Sequence, residues 1–129
     1  MKKKALLFVL MGLAVVAGVI LLVRKGFCDI NKIDTGGIIL FYGSGCPHCA
    51  NVEKYLKANK VADRVQFTER EIFFNKCNAK LLEKLAVHCG LSTEEIGVPL
   101  LWDGSTSTDQ KCLVGDENII NFFKGKIEG

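Results

Sequence analysis

The sequence predicts one small α/β domain with a four-stranded mixed sheet flanked by helices, preceded by a long apolar helix. Two observations support the domain. The 129 residues suit a single core, and strand-like and helix-like patterns follow in the order β-α-β-α-β-β-α. A third observation supports the preceding helix: residues 5–23 contain neither a charge nor a proline. The chain therefore divides into an N-terminal segment and a folded domain.

Residues 5–23 are long enough to cross a bilayer, because a 19-residue helix spans about 28 Å and the hydrocarbon core measures roughly 30 Å. No small-residue cleavage site ends the run, which favours an uncleaved signal anchor over a cleaved signal peptide or a buried core helix. Lysines at 2–4 place the N-terminus in the cytoplasm and the domain outside it. We expect a cytoplasmic N-terminus at 1–4, the transmembrane helix at 5–23, a tether at 24–36 and the domain at 37–129.

The charge of the chain argues against a nucleic-acid partner. Five of the 17 basic residues flank the apolar run, and the other 12 face 14 acidic residues. The remainder of the chain is thus close to −2 and offers no basic stripe.

The first half of the domain has a strand, a helix and a second strand. Residues 38–42 form a continuous apolar run, typical of a strand buried on both faces. Pro47 suits the first turn of a helix that extends to residue 59, because that turn leaves its N–H groups unpaired in any case. A second strand is expected within 65–72.

The second half adds a helix, a hairpin and a last helix. A helix is expected over 78–89, where the apolar residues share one face. Residues 98–102 and 110–114 predict two strands joined as a hairpin. Asp116 is expected to cap the last helix.

The informative motif is Cys46-Pro47-His48-Cys49, which follows the first strand and a glycine-rich turn. The motif places Cys46 at the helix start, where unpaired N–H groups and the helix dipole stabilise a thiolate, the form that attacks disulfides. Cys49 lies one turn later and inward, which suits the thiol that resolves a mixed disulfide. A protonated His48 adds positive charge beside Cys46 and favours the reduced form, which makes the pair an oxidant.

Two other interpretations of the motif are weaker. A C-x-x-C is half of many zinc sites, but no second pair stands at the usual spacing, so we expect no metal. A purely structural disulfide in so tight a ring is less favoured still.

The stretch from residue 39 to Cys49, followed about 50 residues later by Gly97-Val98-Pro99, resembles the thioredoxin superfamily. The order of elements is similar to glutaredoxins, and Pro47-His48 is similar to the dipeptide of DsbA-type periplasmic oxidants. The resemblance implies a thioredoxin-like fold and a thiol–disulfide oxidoreductase that needs no cofactor. It also implies that Pro99 is cis and faces the redox pair, that the pair does not hold a metal, and that the backbone at Val98 pairs with an extended substrate.

Two departures from the family pattern affect the chemistry. Leu40 stands where many thioredoxins carry a buried carboxylate, so water or Glu53 must accept the proton of the buried thiol. Residues 114–117 match the glutathione-binding stretch of glutaredoxins only in part. The partial match argues against glutathione and favours protein thiols and disulfides as substrates.

Four further cysteines lie outside the motif, at positions 28, 77, 89 and 112. Cys77 and Cys89 are about 18 Å apart if one helix holds both, which is too far for a disulfide. Small buried thiols are the common state of cysteines on apolar faces, so we expect free thiols. A Cys89–Cys112 bridge, or a bridge from Cys28 to a partner protein, stays open.

The sequence thus predicts a membrane-anchored protein that oxidises thiols through Cys46 and Cys49 and is itself reoxidised by a membrane redox partner. A disulfide reductase that uses the same residues is the nearest alternative. A metal-binding or scaffold protein, whose C-x-x-C never exchanges disulfides, is the alternative from a different class.

Overall fold

The computed structural model of the protein describes residues 2–24 and 28–129, with the side chains of Lys4 and residues 6–20 in the first range. Helix α1 (Lys2–Arg24) covers the apolar run, and its large apolar side chains between Leu6 and Ile20 are at least 49% exposed. Among the described residues, no helix combines the length and hydropathy needed to cross a bilayer. The signal anchor at 5–23 stays a prediction.

The domain has four strands and three helices in the expected order. They are β1 (Ile38–Tyr42), α2 (Pro47–Ala58), β2 (Phe67–Glu71), α3 (Lys76–His88), β3 (Leu100–Asp103), β4 (Cys112–Val114) and α4 (Asp116–Glu128). Short 3-10 turns lie at Ile30–Lys32 and Val61–Asp63.

The sheet has the order β2-β1-β3-β4 and is mixed, as predicted. Strand β1 pairs in parallel with β2 and antiparallel with β3, and β3 pairs antiparallel with β4. Because side chains alternate along β1, Ile38 and Leu40 pack with α2 and α4, whereas Ile39 and Phe41 pack with α3. This arrangement is a thioredoxin-like α/β fold, with β1 buried between helices on both faces.

Several element boundaries differ from the sequence-based expectation. Strand β3 begins at Leu100 rather than residue 98, after a cis Val98–Pro99 bond. Helix α3 begins two residues early because the Asn75 side chain accepts hydrogen bonds from two backbone N–H groups of its first turn. The N-cap of α4 is Gly115, so Asp116 lies inside the helix and does not cap it.

The segment expected to be a tether packs on the domain from Cys28 onward. The Lys84 ammonium donates to the side-chain oxygen of Asn31 at 2.9 Å, and the Trp102 indole donates to the carbonyl of Thr35 at 2.8 Å. A Cβ at Gly104 would lie 1.8 Å from that same carbonyl oxygen, so only glycine allows the approach. Residues 28–37 therefore extend the domain rather than lead to it.

All four cysteines outside the motif form disulfides, so the expectation of free thiols is wrong. Cys28 bonds to Cys77, with Cα atoms 5.6 Å apart, and Cys89 bonds to Cys112, with Cα atoms 6.1 Å apart. The Cys89–Cys112 bridge is the alternative that the sequence left open. The Cys28–Cys77 bridge joins two residues of this chain, because residues 28–37 lie against α3.

Replacing both Cys89 and Cys112 with serine should lower the free energy of unfolding by about 2–4 kcal/mol, since the bridge closes a loop between residues 23 positions apart. Urea denaturation of the full chain under non-reducing conditions measures the loss. Both proteins unfolded in excess reductant are the control, and their stabilities should then converge, because neither keeps a disulfide. Equal stability of the two oxidised proteins would contradict the stabilising role.

Candidate active site

Cys46 lies at the N-cap of α2, where the sequence placed it. Its sulfur accepts a hydrogen bond from the backbone N–H of Cys49 at 3.3 Å. The turn before it contains Gly45 with φ of 82°, a conformation that glycine adopts without strain, and Pro47 is the first helical residue. The sulfur is half-buried and thus reachable from solvent, while a helix-start N–H group points at it.

Cys49 is buried, with 7% of its surface exposed, and carries a free thiol like Cys46. Burial, followed by the hydrogen bond and the charge of Cys46, raises the pKa of the Cys49 thiol to about 12. Cys49 is therefore a thiol at neutral pH and is shielded from solvent, whereas Cys46 is only half-buried. The two cysteines have the different environments that an attacking thiol and a resolving thiol require.

The Val98–Pro99 segment, directly before β3, lies next to the two cysteines. The peptide bond is cis, as the family resemblance implied. The Cys46 thiol donates to the carbonyl oxygen of Val98 over 3.6 Å. Pro99 lines a cavity of about 460 Å³ together with Cys46 and Cys49. The structure therefore brings five of the six predicted site residues to one place, with only His48 turned elsewhere.

His48 is directed toward α4. Its Nδ1 lies 3.2 Å from the Asp116 carboxylate, and the Asn51 amide donates to the same oxygen at 2.6 Å. The Asn51 amide, and next the His48 ring, hold the pKa of the Asp116 carboxyl below its usual range. Asp116 and Asn51 were missed as site residues. The signals for them were an acid in the first turn of α4 and a polar side chain three residues after His48.

Two carboxylates line the cavity that reaches Cys49. Leu40 also lines it, and the cross-strand partner of Leu40 on β2 is Glu69. Glu53 lines the cavity too, but its carboxylate forms an ion pair with Lys57 on the next turn of α2. Glu69 is thus a second candidate beside Glu53 for accepting the Cys49 proton through water.

Glu71, at the end of β2, connects the loop after β2 with the active-site turn. Its carboxylate accepts backbone hydrogen bonds from Ser44 at 3.2 Å, Phe73 at 2.8 Å and Phe74 at 2.9 Å. Although desolvation opposes ionisation, these N–H donors prevail and lower the pKa of Glu71. The Phe73 ring covers Gly43, where a Cβ would lie 2.3 Å from a ring carbon.

The redox pair stands apart from other metal-ligating side chains. Over residues 2–24 and 28–129, no three His, Cys, Asp or Glu side chains are grouped to hold a metal ion. The other four cysteines are bonded to each other. The free thiols at this site therefore belong to Cys46 and Cys49.

Comparison with known proteins adds a likeness in structure. No protein-family model and no curated protein matches the chain. Among solved structures, the chain is similar to the glutaredoxin grx-1 from Archaeoglobus fulgidus, at 22% identity and a TM-score of 0.45, over 78% of this chain and 92% of that chain. The thioredoxin-like fold stated above rests on strand order, register and helix placement.

The unequal environments predict selective alkylation. At pH 7.5, iodoacetamide should modify Cys46 at least about tenfold faster than Cys49, because Cys49 is buried and protonated. Mass spectrometry of peptides after timed quenching measures both rates. Protein unfolded in urea is the control, in which the two rates should converge. Faster labelling of Cys49 in the folded chain would contradict the geometry.

Proposed function

We propose that the protein is a thiol–disulfide oxidoreductase that exchanges disulfides with protein thiols through Cys46 and Cys49 and works as an oxidant. The observation that carries this proposal is the contrast between the two sulfurs. Cys46 is half-buried at a helix start and accepts an N–H, whereas Cys49 is buried behind it as a thiol.

The exchange proceeds in two steps from the oxidised pair. A client thiolate attacks Cys46, forms a client–Cys46 disulfide, and expels Cys49, which takes a proton and becomes a thiol. A second client thiolate attacks the client sulfur, forms the client disulfide and expels Cys46 as a thiolate. The client loses two electrons and the pair gains them. The high pKa of Cys49 favours its protonation once it leaves.

Two features support the oxidising direction. The chain carries the Cys28–Cys77 and Cys89–Cys112 disulfides, and such bridges persist in oxidising compartments outside the cytoplasm. The dipeptide Pro47-His48 adds to the motif an imidazole whose charge, in the protonated form, favours the reduced pair. A pair that is more stable when reduced takes electrons from its clients.

The same proposal places the domain outside the cytoplasmic membrane on an N-terminal anchor. Its support is the 19-residue run without charge or proline and the lysines that precede it. A membrane redox protein is then the partner that returns the pair to its disulfide form. The two further disulfides agree with this location.

A reductase is the second candidate, and one contact favours it. Asp116 lies 3.2 Å from His48, so a negative charge offsets the imidazole charge that would make the pair oxidising. A reductase would use the same residues in reverse and receive electrons from its membrane partner.

The reduction potential of the Cys46–Cys49 pair separates these two directions. We expect a value nearer to about −120 mV, typical of a strong oxidant, than to about −270 mV, typical of a disulfide reductase. Equilibration of the full chain in graded thiol–disulfide buffers, with the fraction of free Cys46 measured by mass spectrometry, gives the value. A potential at the reducing end would replace the oxidant with the reductase.

Disulfide transfer to a reduced, unfolded test protein checks the activity itself. Oxidised wild-type chain should introduce disulfides stoichiometrically, and Cys46→Ser should introduce none, because it lacks the attacked sulfur. Cys49→Ser, mixed instead with the test protein in its disulfide form, should accumulate a mixed disulfide on a non-reducing gel, because Cys46 opens a client disulfide and no Cys49 thiol then releases the client. The absence of both products, together with tight zinc binding by the wild-type chain, would favour the non-catalytic metal-binding alternative.

A further inference from the structure

The Asp116 carboxylate connects the start of α4 with the first turns of α2. A single oxygen, Oδ2, receives the Asn51 amide at 2.6 Å and lies 3.2 Å from His48 Nδ1. The Asp116 side chain is 18% exposed, while that of His48 is 70% exposed. The acid is thus fixed among its partners, and the ring that it holds lies at the surface beside the redox motif.

The side-chain partners of Asp116 lie on α2. Gly115, not Asp116, is the N-cap of α4. The neighbouring acid in the same turn, Glu117, is exposed and makes no side-chain hydrogen bond or ion pair among the described residues. The two acids therefore share a helix turn and differ in their contact with α2.

We propose that Asp116 is a positioning residue for the Cys46–Cys49 pair: it holds the His48 ring toward α4 and offsets its charge, which moderates the oxidising strength of the pair. The inference rests on the proposed thiol–disulfide function. Under it, the oxidising strength of the pair depends on Asp116 as well as on the Pro47-His48 dipeptide.

The physical reason is the field that the Cys46 thiolate experiences. An imidazolium near Cys46 stabilises the thiolate and hence the reduced pair. When a carboxylate lies 3.2 Å from the ring, the two opposite charges act together as a dipole, whose field weakens faster with distance than that of a lone charge. The hydrogen bond also restrains the ring on the α4 side. Both effects reduce the stabilisation that the His48 charge gives to a thiolate at Cys46.

The test compares Asp116→Asn with wild type at pH 5.5, where an imidazole without a partner is largely protonated. The equilibrium constant of the full chain with a glutathione redox buffer should shift toward the reduced pair by roughly two- to fivefold, the range of a partly exposed ion pair. Glu117→Gln is the matched control, because it removes the same charge from the same turn without touching His48. It should leave the constant unchanged.

A second comparison asks whether Asp116 acts through His48. Asp116→Asn should have no effect on the constant in a His48→Ala background, and Asp116→Glu should restore the wild-type value in part. The proposal is overturned by an unchanged constant in Asp116→Asn, by an equal shift in Glu117→Gln, or by a shift that persists without His48. Should Asp116→Asn not fold, Asp116→Ala replaces it, since position 116 lies inside α4 and alanine has the highest helix propensity.

The disulfide exchange by Cys46 and Cys49 and the positioning role of Asp116 can fail separately. If the wild-type chain transfers no disulfide to a protein thiol, the proposed function fails whatever the variants do. If the wild-type chain is active and the Asp116 variants match it, only the positioning role fails.

Discussion

The site depends on one unpaired backbone group at the start of α2. The first N–H groups of a helix have no partner within the helix, and the sulfur of Cys46 accepts the N–H of Cys49. This geometry requires that the helix begin at a fixed point. Strand β1 is held between β2 and β3 and buried on both faces, so the position of Tyr42 fixes where the turn toward Cys46 begins. The fixed position of β1 thereby determines where the Cys46 sulfur lies relative to the first N–H groups of α2.

The same constraint makes the two thiols of the motif unequal. One turn of helix carries the chain from the half-buried surface at Cys46 to the core at Cys49, where burial raises the pKa to about 12. A buried thiol reacts only if its proton has a route out. The cavity of about 460 Å³ that Cys49 shares with Leu40, Glu53 and Glu69 offers such a route.

The parts of the fold that the sequence predicted are those set by local patterns. Strand β1, the start of α2 at Pro47 and the order of elements along the chain follow from apolar periodicity and turn residues that lie close together in the chain. The parts that it missed join residues distant in sequence. Cys28 meets Cys77 across 49 positions, and His48 meets Asp116 across 68. Neither contact is visible as a local pattern in the sequence. The disulfide depends on how residues 28–37 cross α3, and the contact of His48 with Asp116 depends on how α4 packs against α2.

A chain that combines a free, half-buried cysteine with structural disulfides has to keep them apart, because a thiolate attacks any disulfide that it reaches. The sheet provides this separation. Helix α2, which carries the redox pair, packs on one face, and α3, which bears Cys77, packs on the other. Cys89 and Cys112 pack against the core on the α3 side. Exchange within the chain would therefore require the sheet to open, whereas under the proposed function a client would need only to approach the half-buried Cys46. The layered fold thus keeps Cys46 on the side of the sheet away from the structural disulfides.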